Sequence, residues 1–389
     1  MESAFYYDIV CPYAYMAFSL LRRQNLFKTR EIELRPILLG GLFKLMEQDG
    51  NPNATMPKDR ALYIKNDIKR QAKVFGIPLE FNPHHPQSTL KAMRILIACP
   101  AQKREALSEA FFKAYWQDQQ CFDNEEMLYS LAEALDARPP NYDEELAKEL
   151  LKEATFNAFK AKVFGVPTLS IDNRLYFGSD RLFLIRDRLG LSLPDPPWGK
   201  SSKQVDFYFD FSSPYSYLAH AEIEKAEKLG VKVNYVPILL GALFKERGVA
   251  NVPLLAAHPN KASYFYQDMK DWAKERAVPF VFNSAFPLRS VTALRVALIE
   301  PRARAPIFEA AWALNKDIGD IAQLTAVLEE AGLPSSLLKE TEDQRIKDKL
   351  KENTARAFSS GIFGVPTFKI DNELVFGQDR FLYLKAKLL

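Results

Sequence analysis

The sequence predicts an α/β protein made of two tandem copies of one domain, each running strand, helix, strand, a long helical insertion, a strand hairpin and a last helix. Three observations carry that prediction. The first is an internal repeat: FYYDIVCPYAYMA returns as FYFDFSSPYSYLA, RPILLGGLFK as VPILLGALFK, and VFGVPTLSIDNRLYFGSDR as IFGVPTFKIDNELVFGQDR. Pairing Cys11 with Ser213, Pro36 with Pro237, Pro167 with Pro366 and Asp180 with Asp379 gives offsets of 202, 201, 199 and 199, so about half the chain duplicates the other half. Such a period is a whole domain, not a solenoid unit of about 20 to 50 residues. The second observation is an aromatic run in each copy that feeds a Pro-Tyr helix start. The third is an Asp-Asn turn flanked by apolar runs near the end of each copy.

The elements follow in order. AFYYDIV and VDFYFDF read as buried first strands, each followed by an amphipathic helix. REIELRPILLG and VKVNYVPILLG read as second strands, parallel to the first because a helix crosses between them. More than a hundred residues of helical periodicity follow in each copy, too many for one crossover, and read as an inserted helical subdomain. VPTLSIDNRLYF and VPTFKIDNELVF then form hairpins around their Asp-Asn turns. GSDRLFLIRDRL and GQDRFLYLKAKLL supply the last helices, with Asp180 and Asp379 in their first turns. This order is a thioredoxin-like fold interrupted by helices. Copy one is expected over residues 1–189 with its insertion at about 45–155, and copy two over 204–389 with its insertion at about 246–355. Residues 190–203 between them, with Pro194, Pro196, Pro197, Gly199, Ser201 and Ser202, read as the linker.

Composition narrows the function classes. The chain has 389 residues, 48% apolar and 26% charged, with a formal net charge of +3. It carries no basic stripe of the kind a nucleic-acid binder needs. No run approaches the apolar length of a membrane span, so no membrane partner is expected. Three cysteines, Cys11, Cys99 and Cys121, cannot pair completely and lack metal-ligand spacing, which points to a reducing, cytoplasmic setting. Cys99 and Cys121 fall in helical patterns and read as structural. His84, His85, His220 and His258 also lack ligand spacing, so no metal is expected.

The chemistry-bearing position is the junction of first strand and first helix, where unpaired N–H groups and the helix dipole favour an anion. Cys11 stands there in copy one and Ser213 in copy two. A cysteine there is expected to have a lowered pKa and to react as a thiol, or else to be a small buried core residue. A serine there either donates to a ligand thiolate or simply caps the helix. Ala14 denies Cys11 a resolving cysteine. Pro167 and Pro366, if cis, turn the backbone of Val166 and Val365 toward an extended peptide; as plain strand openers they have no such role. Asp180 and Asp379, preceded by Ser179 and Gln378, either cap the last helix or grip the ammonium of a γ-glutamyl group. Tyr13 and Tyr215 either line the site or pack in the core.

Taken together, Ser-Pro-Tyr after an aromatic strand, PILLG, NPHHP-like loops, GVPT and a final FGxDR resemble the family of 2-hydroxychromene-2-carboxylate isomerases and kappa-class glutathione transferases. That family is similar in turn to DsbA-type thiol oxidoreductases, whose Cys-x-x-Cys replaces the Ser-Pro element. The resemblance covers nearly the whole chain, once per copy. It implies a glutathione site in copy two, with Ser213 stabilising the thiolate, Lys261 meeting the glycyl carboxylate, Val365 beside Pro366 holding the cysteinyl backbone, and Gln378 and Asp379 holding the γ-glutamyl group. Asn251 corresponds to the family's substrate-side asparagine. Copy one matches through Val166, Pro167, Ser179 and Asp180, has Arg60 in place of the lysine, and offers both Asn51 and Asn53 for the asparagine. The implied activity is glutathione-dependent isomerisation or transfer on a small aromatic electrophile. The alternatives are a glutathione-linked monothiol reductase at Cys11 and a ligand-binding protein without turnover. Family members pair as dimers of single copies, which implies that the two copies here form an intrachain pseudo-dimer.

Overall fold

Two four-stranded sheets, one per copy, organise the chain. The computed structural model describes residues 3–47, 56–139, 141–199, 203–249, 252 and 254–388. Asn51, Asn53 and Asn251 lie outside the described residues. In the first half β1 (Ser3–Tyr7), β2 (Ile32–Pro36), β3 (Thr168–Ile171) and β4 (Arg174–Phe177) stand in the order β2-β1-β3-β4. In the second, β5 (Gln204–Phe209), β6 (Lys232–Pro237), β7 (Thr367–Ile370) and β8 (Glu373–Phe376) repeat it as β6-β5-β7-β8.

The aromatic first strands are central, which explains their composition. β1 runs parallel to β2 in the register Phe5↔Leu34 and antiparallel to β3 in the register Phe5↔Leu169. A strand covered on both faces has no polar side to show, and Ala4, Phe5, Tyr6 and Tyr7 are all buried. In the second sheet the rings of Phe207 and Phe368 stack at 5.0 Å across β5 and β7. The parallel pairs are joined through the helices Pro12–Arg23 and Pro214–Lys228, each opening on a proline that has no N–H to leave unpaired.

The insertions are helical, as the periodicity predicts. Helices Lys58–Val74, Leu90–Ala98, Ala101–Trp116, Glu125–Ala134 and Glu144–Lys160 build the first. Pro259–Glu275, Val291–Ile299, Arg304–Trp312, Ile321–Glu330 and Gln344–Ser359 are the main helices of the second. A buried tryptophan pins each insertion to the turn after the central strand. Trp116 Nε1 donates to the carbonyl of Ile9 at 2.9 Å, and Trp312 Nε1 to that of Phe211 at 2.8 Å. Those turns lead directly into Cys11 and Ser213.

Two expectations need correction. In copy one the last segment is a 3-10 turn over Ser179–Ile185 followed by one helical turn, Arg186–Leu189. In copy two the helix spans Phe381–Leu388, so Gln378 and Asp379 lie in the turn ahead of it rather than in its first turn. Cys121 is not helical: it is exposed in the connection between Ala101–Trp116 and Glu125–Ala134, where the chain has left one helix and not begun the next.

The contacts divide the chain into Met1–Pro194 and Asp195–Leu389. Residues 191–199 form neither helix nor strand. Within the first unit the Gln24 side chain bonds both the N–H and the carbonyl of Ser192. Within the second, Trp198 donates to Glu222 at 3.2 Å and packs on Phe381. Among the described residues no helix is long and apolar enough to cross a membrane.

Candidate functional site

Each copy builds its site where three segments meet: the strand-helix junction, the Val-Pro-Thr strand start and the Gly-x-Asp-Arg turn. In copy two Ser213 is the N-cap of the Pro214–Lys228 helix. Its Oγ accepts the N–H of Ser216 at 3.2 Å and stands 3.5 Å from the carbonyl of Val365, a long contact that holds the hydroxyl weakly. Val365–Pro366 is cis, as is Val166–Pro167. The carbonyl of Pro366 accepts the N–H of Gly377 at 2.9 Å, which draws Gln378 and Asp379 to the same place. Copy one repeats this, with Gly178 donating to Pro167 at 2.9 Å.

Only glycine fits at Gly178 and Gly377. Their φ angles are +97° and +110°, and a Cβ on either would stand 2.6 Å from the Oδ1 of the following Asp180 or Asp379. The carboxylate thus folds back over the bare glycine and meets its neighbouring arginine, Asp180 with Arg181 at 2.8 Å and Asp379 with Arg380 at 2.9 Å.

The copies differ most at the junction residue. Cys11 Sγ donates to the carbonyl of Val166 at 3.2 Å and makes no cap hydrogen bond. The expected low thiol pKa is overturned: burial pushes the Cys11 thiol up to about 12. The N–H groups of Ala14 and Tyr13 pull it down less than desolvation raises it, and the charge of Asp8 adds to the rise. Apolar burial raises a thiol pKa, and at Cys11 it outweighs the helix N-terminus.

The glycine turn is also held differently. In copy one Ser179 Oγ donates to Gln71 Oε1 at 3.1 Å, and Gln71 Nε2 donates to Asp67 Oδ2 at 2.7 Å. In copy two Gln378 takes the place of that serine, and the buried Arg276 donates to the Gln378 carbonyl and, at 2.6 Å, to that of Leu218. Burial lowers the Arg276 pKa to about 10, with Glu222 and Asp379 opposing. The Gln378 side chain is 2% exposed, yet neither its Nε2 nor its Oε1 has a partner. Buried amides normally find partners for both ends, and this one finds none within the described residues. Lys261 is half-buried at the start of the Pro259–Glu275 helix, its Nζ 5.9 Å from the Phe265 ring centre, and Arg60 is exposed. Tyr13 and Tyr215 are half-buried rather than core.

Sequence reasoning missed Asp8 and Asp210, both 1% exposed and three positions before the junction residue. Asp210 takes the N–H of Ser212 at 2.9 Å and of Leu240 at 2.8 Å, as well as the Ser290 hydroxyl. Burial pushes its carboxyl up against those three bonds. Asp8 holds Leu39 at 2.9 Å and Thr89 at 2.7 Å in the same way. The signal was there, since both aspartates stand in the repeat at an offset of 202. Arg276 had none, because copy one has Phe75 at its place.

A family model for the DSBA-like thioredoxin domain matches residues 4–190 and again 204–389. The chain belongs to the DSBA-like thioredoxin family. The two family matches account for the two sheets, and the expected fold class is borne out in both. Half of the chain is 29% identical to glutathione S-transferase kappa 1 of Rattus norvegicus, over 48% of this chain and 89% of that protein. It is also 27% identical to 2-hydroxychromene-2-carboxylate isomerase of Sphingobium xenophagum, over 48% of this chain and 99% of that one. A solved 2-hydroxychromene-2-carboxylate isomerase structure is 26% identical over 47% of this chain and 93% of its own, with a TM-score of 0.44. Each relative thus matches about one copy. Neither Cys11 nor Ser213 of this DSBA-like chain has a second cysteine in its motif: position 14 is alanine and position 216 serine.

Proposed function

We propose that copy two of this DSBA-like chain is a glutathione-dependent isomerase or transferase site for small aromatic electrophiles. The observation that carries this reading is the weakly held Ser213 hydroxyl, 3.5 Å from the Val365 carbonyl at a helix N-terminus, where Cys11 in copy one is a thiol pushed up to about 12. The likeness of each half to proteins named as kappa glutathione transferases and 2-hydroxychromene-2-carboxylate isomerases supports the same reading. The buried, unpartnered amide of Gln378 fits the α-amino and α-carboxylate groups of a γ-glutamyl end, one accepting its donor and the other meeting its acceptor. Bound glutathione would supply a thiolate that adds to a conjugated double bond and leaves again.

The protein's part is positioning. Ser213 Oγ–H turns from the long Val365 contact to the thiolate and keeps it ionised together with the helix N-terminus. The Val365 backbone lines the cysteinyl segment, Lys261 takes the glycyl carboxylate, and the Asp379–Arg380 pair closes the γ-glutamyl end. Asp210, held by three donors, fixes the turn from which Ser213 springs. The reductase alternative at Cys11 is the weaker one, because a buried thiol with that pKa is almost wholly protonated at neutral pH.

Calorimetric titration with glutathione tests the reading. One site per chain, lost in Asp379→Ala, assigns the function to copy two. Two sites mean that copy one also retains a pocket, and no binding at millimolar glutathione sinks the proposal.

A further inference from the structure

A groove of about 380 Å³ lies elsewhere in copy two, between the helices Leu240–Glu246, Val291–Ile299 and Gln344–Ser359. None of Ser213, Val365, Gln378 or Asp379 lines it. Its floor and walls are apolar: Leu243 and Leu350 are buried, while Leu239 and Val291 are half-buried. Phe358 and Ala355 stand exposed at the rim. Arg295, Lys347 and Lys351 also line it, against one acid, Glu246.

Two of the three cations have only long ion pairs. Arg295 Nη1 reaches Glu342 only at 3.5 Å, and that same carboxylate pairs with Lys347 at 2.7 Å. Lys351 has Asp348 at 3.7 Å. The Nε of Arg295 is buried without any hydrogen-bond partner, although the side chain as a whole is 19% exposed. An apolar trough with three cations and one acid in its lining is complementary to a molecule with one apolar body and one carboxylate.

The lining differs between the copies. The scaffold is the same in both, since the Leu38 N–H donates to Thr155 Oγ1 at 3.1 Å and the Leu239 N–H to Thr354 Oγ1 at 3.0 Å. Counted from those anchors, copy one has Leu45, Leu90 and Phe156 where copy two has Glu246, Val291 and Ala355. Larger apolar side chains occupy these positions in one copy, and smaller or charged ones in the other. We infer that this groove of copy two is a second ligand site, separate from the proposed thiol site, for a small amphiphilic carboxylate with an acyl or aryl body.

The groove also touches the frame of the thiol site. Leu239 and Val291 adjoin Leu240 and Ser290, which both hold Asp210. Leu243 shares an apolar cluster with Val365.

Titration of the full chain with decanoate and with 4-phenylbutyrate, read by calorimetry with and without glutathione, tests the site. The expected result is one saturable site per chain that glutathione does not compete for, and at least ten-fold weaker binding of uncharged decanol. Preference for decanoate identifies an acyl body and preference for phenylbutyrate an aryl one. Ala355→Phe, which restores the residue of copy one, is expected to abolish binding, and Arg295→Gln to weaken it ten-fold or more. Lys351→Gln, at an exposed position, gives the same reading if Ala355→Phe lowers the melting temperature. Equal affinity for decanol and decanoate, competition by glutathione, or full binding by these variants overturns the inference. Because the site is read without any reaction, its failure is distinct from failure of the glutathione reading.

Discussion

Cys11 Sγ and the Val166 carbonyl face each other at 3.2 Å across the strand-helix junction of copy one, and the thiol proton lies on that bond. The same junction in copy two holds Ser213 and Val365 at 3.5 Å. In one copy the group is satisfied by the protein; in the other it is left available.

Alkylation should therefore separate the cysteines. Iodoacetamide at neutral pH is expected to modify exposed Cys121 at least ten-fold faster than Cys11, followed by mass spectrometry of the native protein. Cys11 reacting as fast as Cys121 would restore the reductase reading.

Removing the Ser213 hydroxyl should cost about 10²-fold or more in turnover of a glutathione-dependent reaction, by analogy with loss of one donor to a developing anion. Ser213→Ala is expected to leave glutathione affinity within about three-fold, because the remaining contacts are uniform binding. Cys11→Ser should change neither quantity. Steady-state kinetics with calorimetry decides between them.

Gly377→Ala should destabilise copy two by about 1–3 kcal/mol, since φ is +110° and the new Cβ would meet Asp379 Oδ1 at 2.6 Å. Chemical denaturation measures it. The displaced carboxylate should also weaken glutathione binding, which links the fold of the turn to its proposed role.

His220 makes copy two acid-sensitive. It is 5% exposed and stacked on Phe308 at 4.9 Å, and burial, together with the charge of Arg304, lowers its pKa from 6.5 to about 3. Glu224, 3.4 Å from Nε2, does not offset these effects. The unfolded chain takes up a proton near pH 6.5 that the folded one refuses, so stability falls as pH drops from about 6.5 toward 3, by up to about 1.4 kcal/mol per pH unit. His220→Phe, matching Phe18 of copy one, should remove that share of the loss. Denaturation midpoints at pH 7 and pH 5 should then lie closer together than in the unmodified chain, and an unchanged gap would refute the assignment.

Much of this was legible beforehand. The duplication, the aromatic central strands and the Asp-Asn hairpins are local or repeated patterns, and a repeat turns one reading into two independent ones. Asp8 and Asp210 were legible but overlooked, because a carboxylate at a strand end resembles a cap until the donors gathered around it are seen. The form of the last segment was not legible: GSDRLFLI and GQDRFLYL are nearly alike, yet one is a 3-10 turn and the other leads into a helix.

The amino-acid order by itself determined the number of domains, their strand sequence and the residues gathered at each junction, since hydrophobic period, turn chemistry and proline position act over a few residues. Tertiary structure alone decided how those residues behave. Whether the thiol at Cys11 ionises depends on the water that packing removes, and whether Arg276 reaches the Gln378 turn depends on a helix more than a hundred residues away in sequence. Desolvation and long-range hydrogen bonding are properties of the closed fold, and no local pattern encodes them.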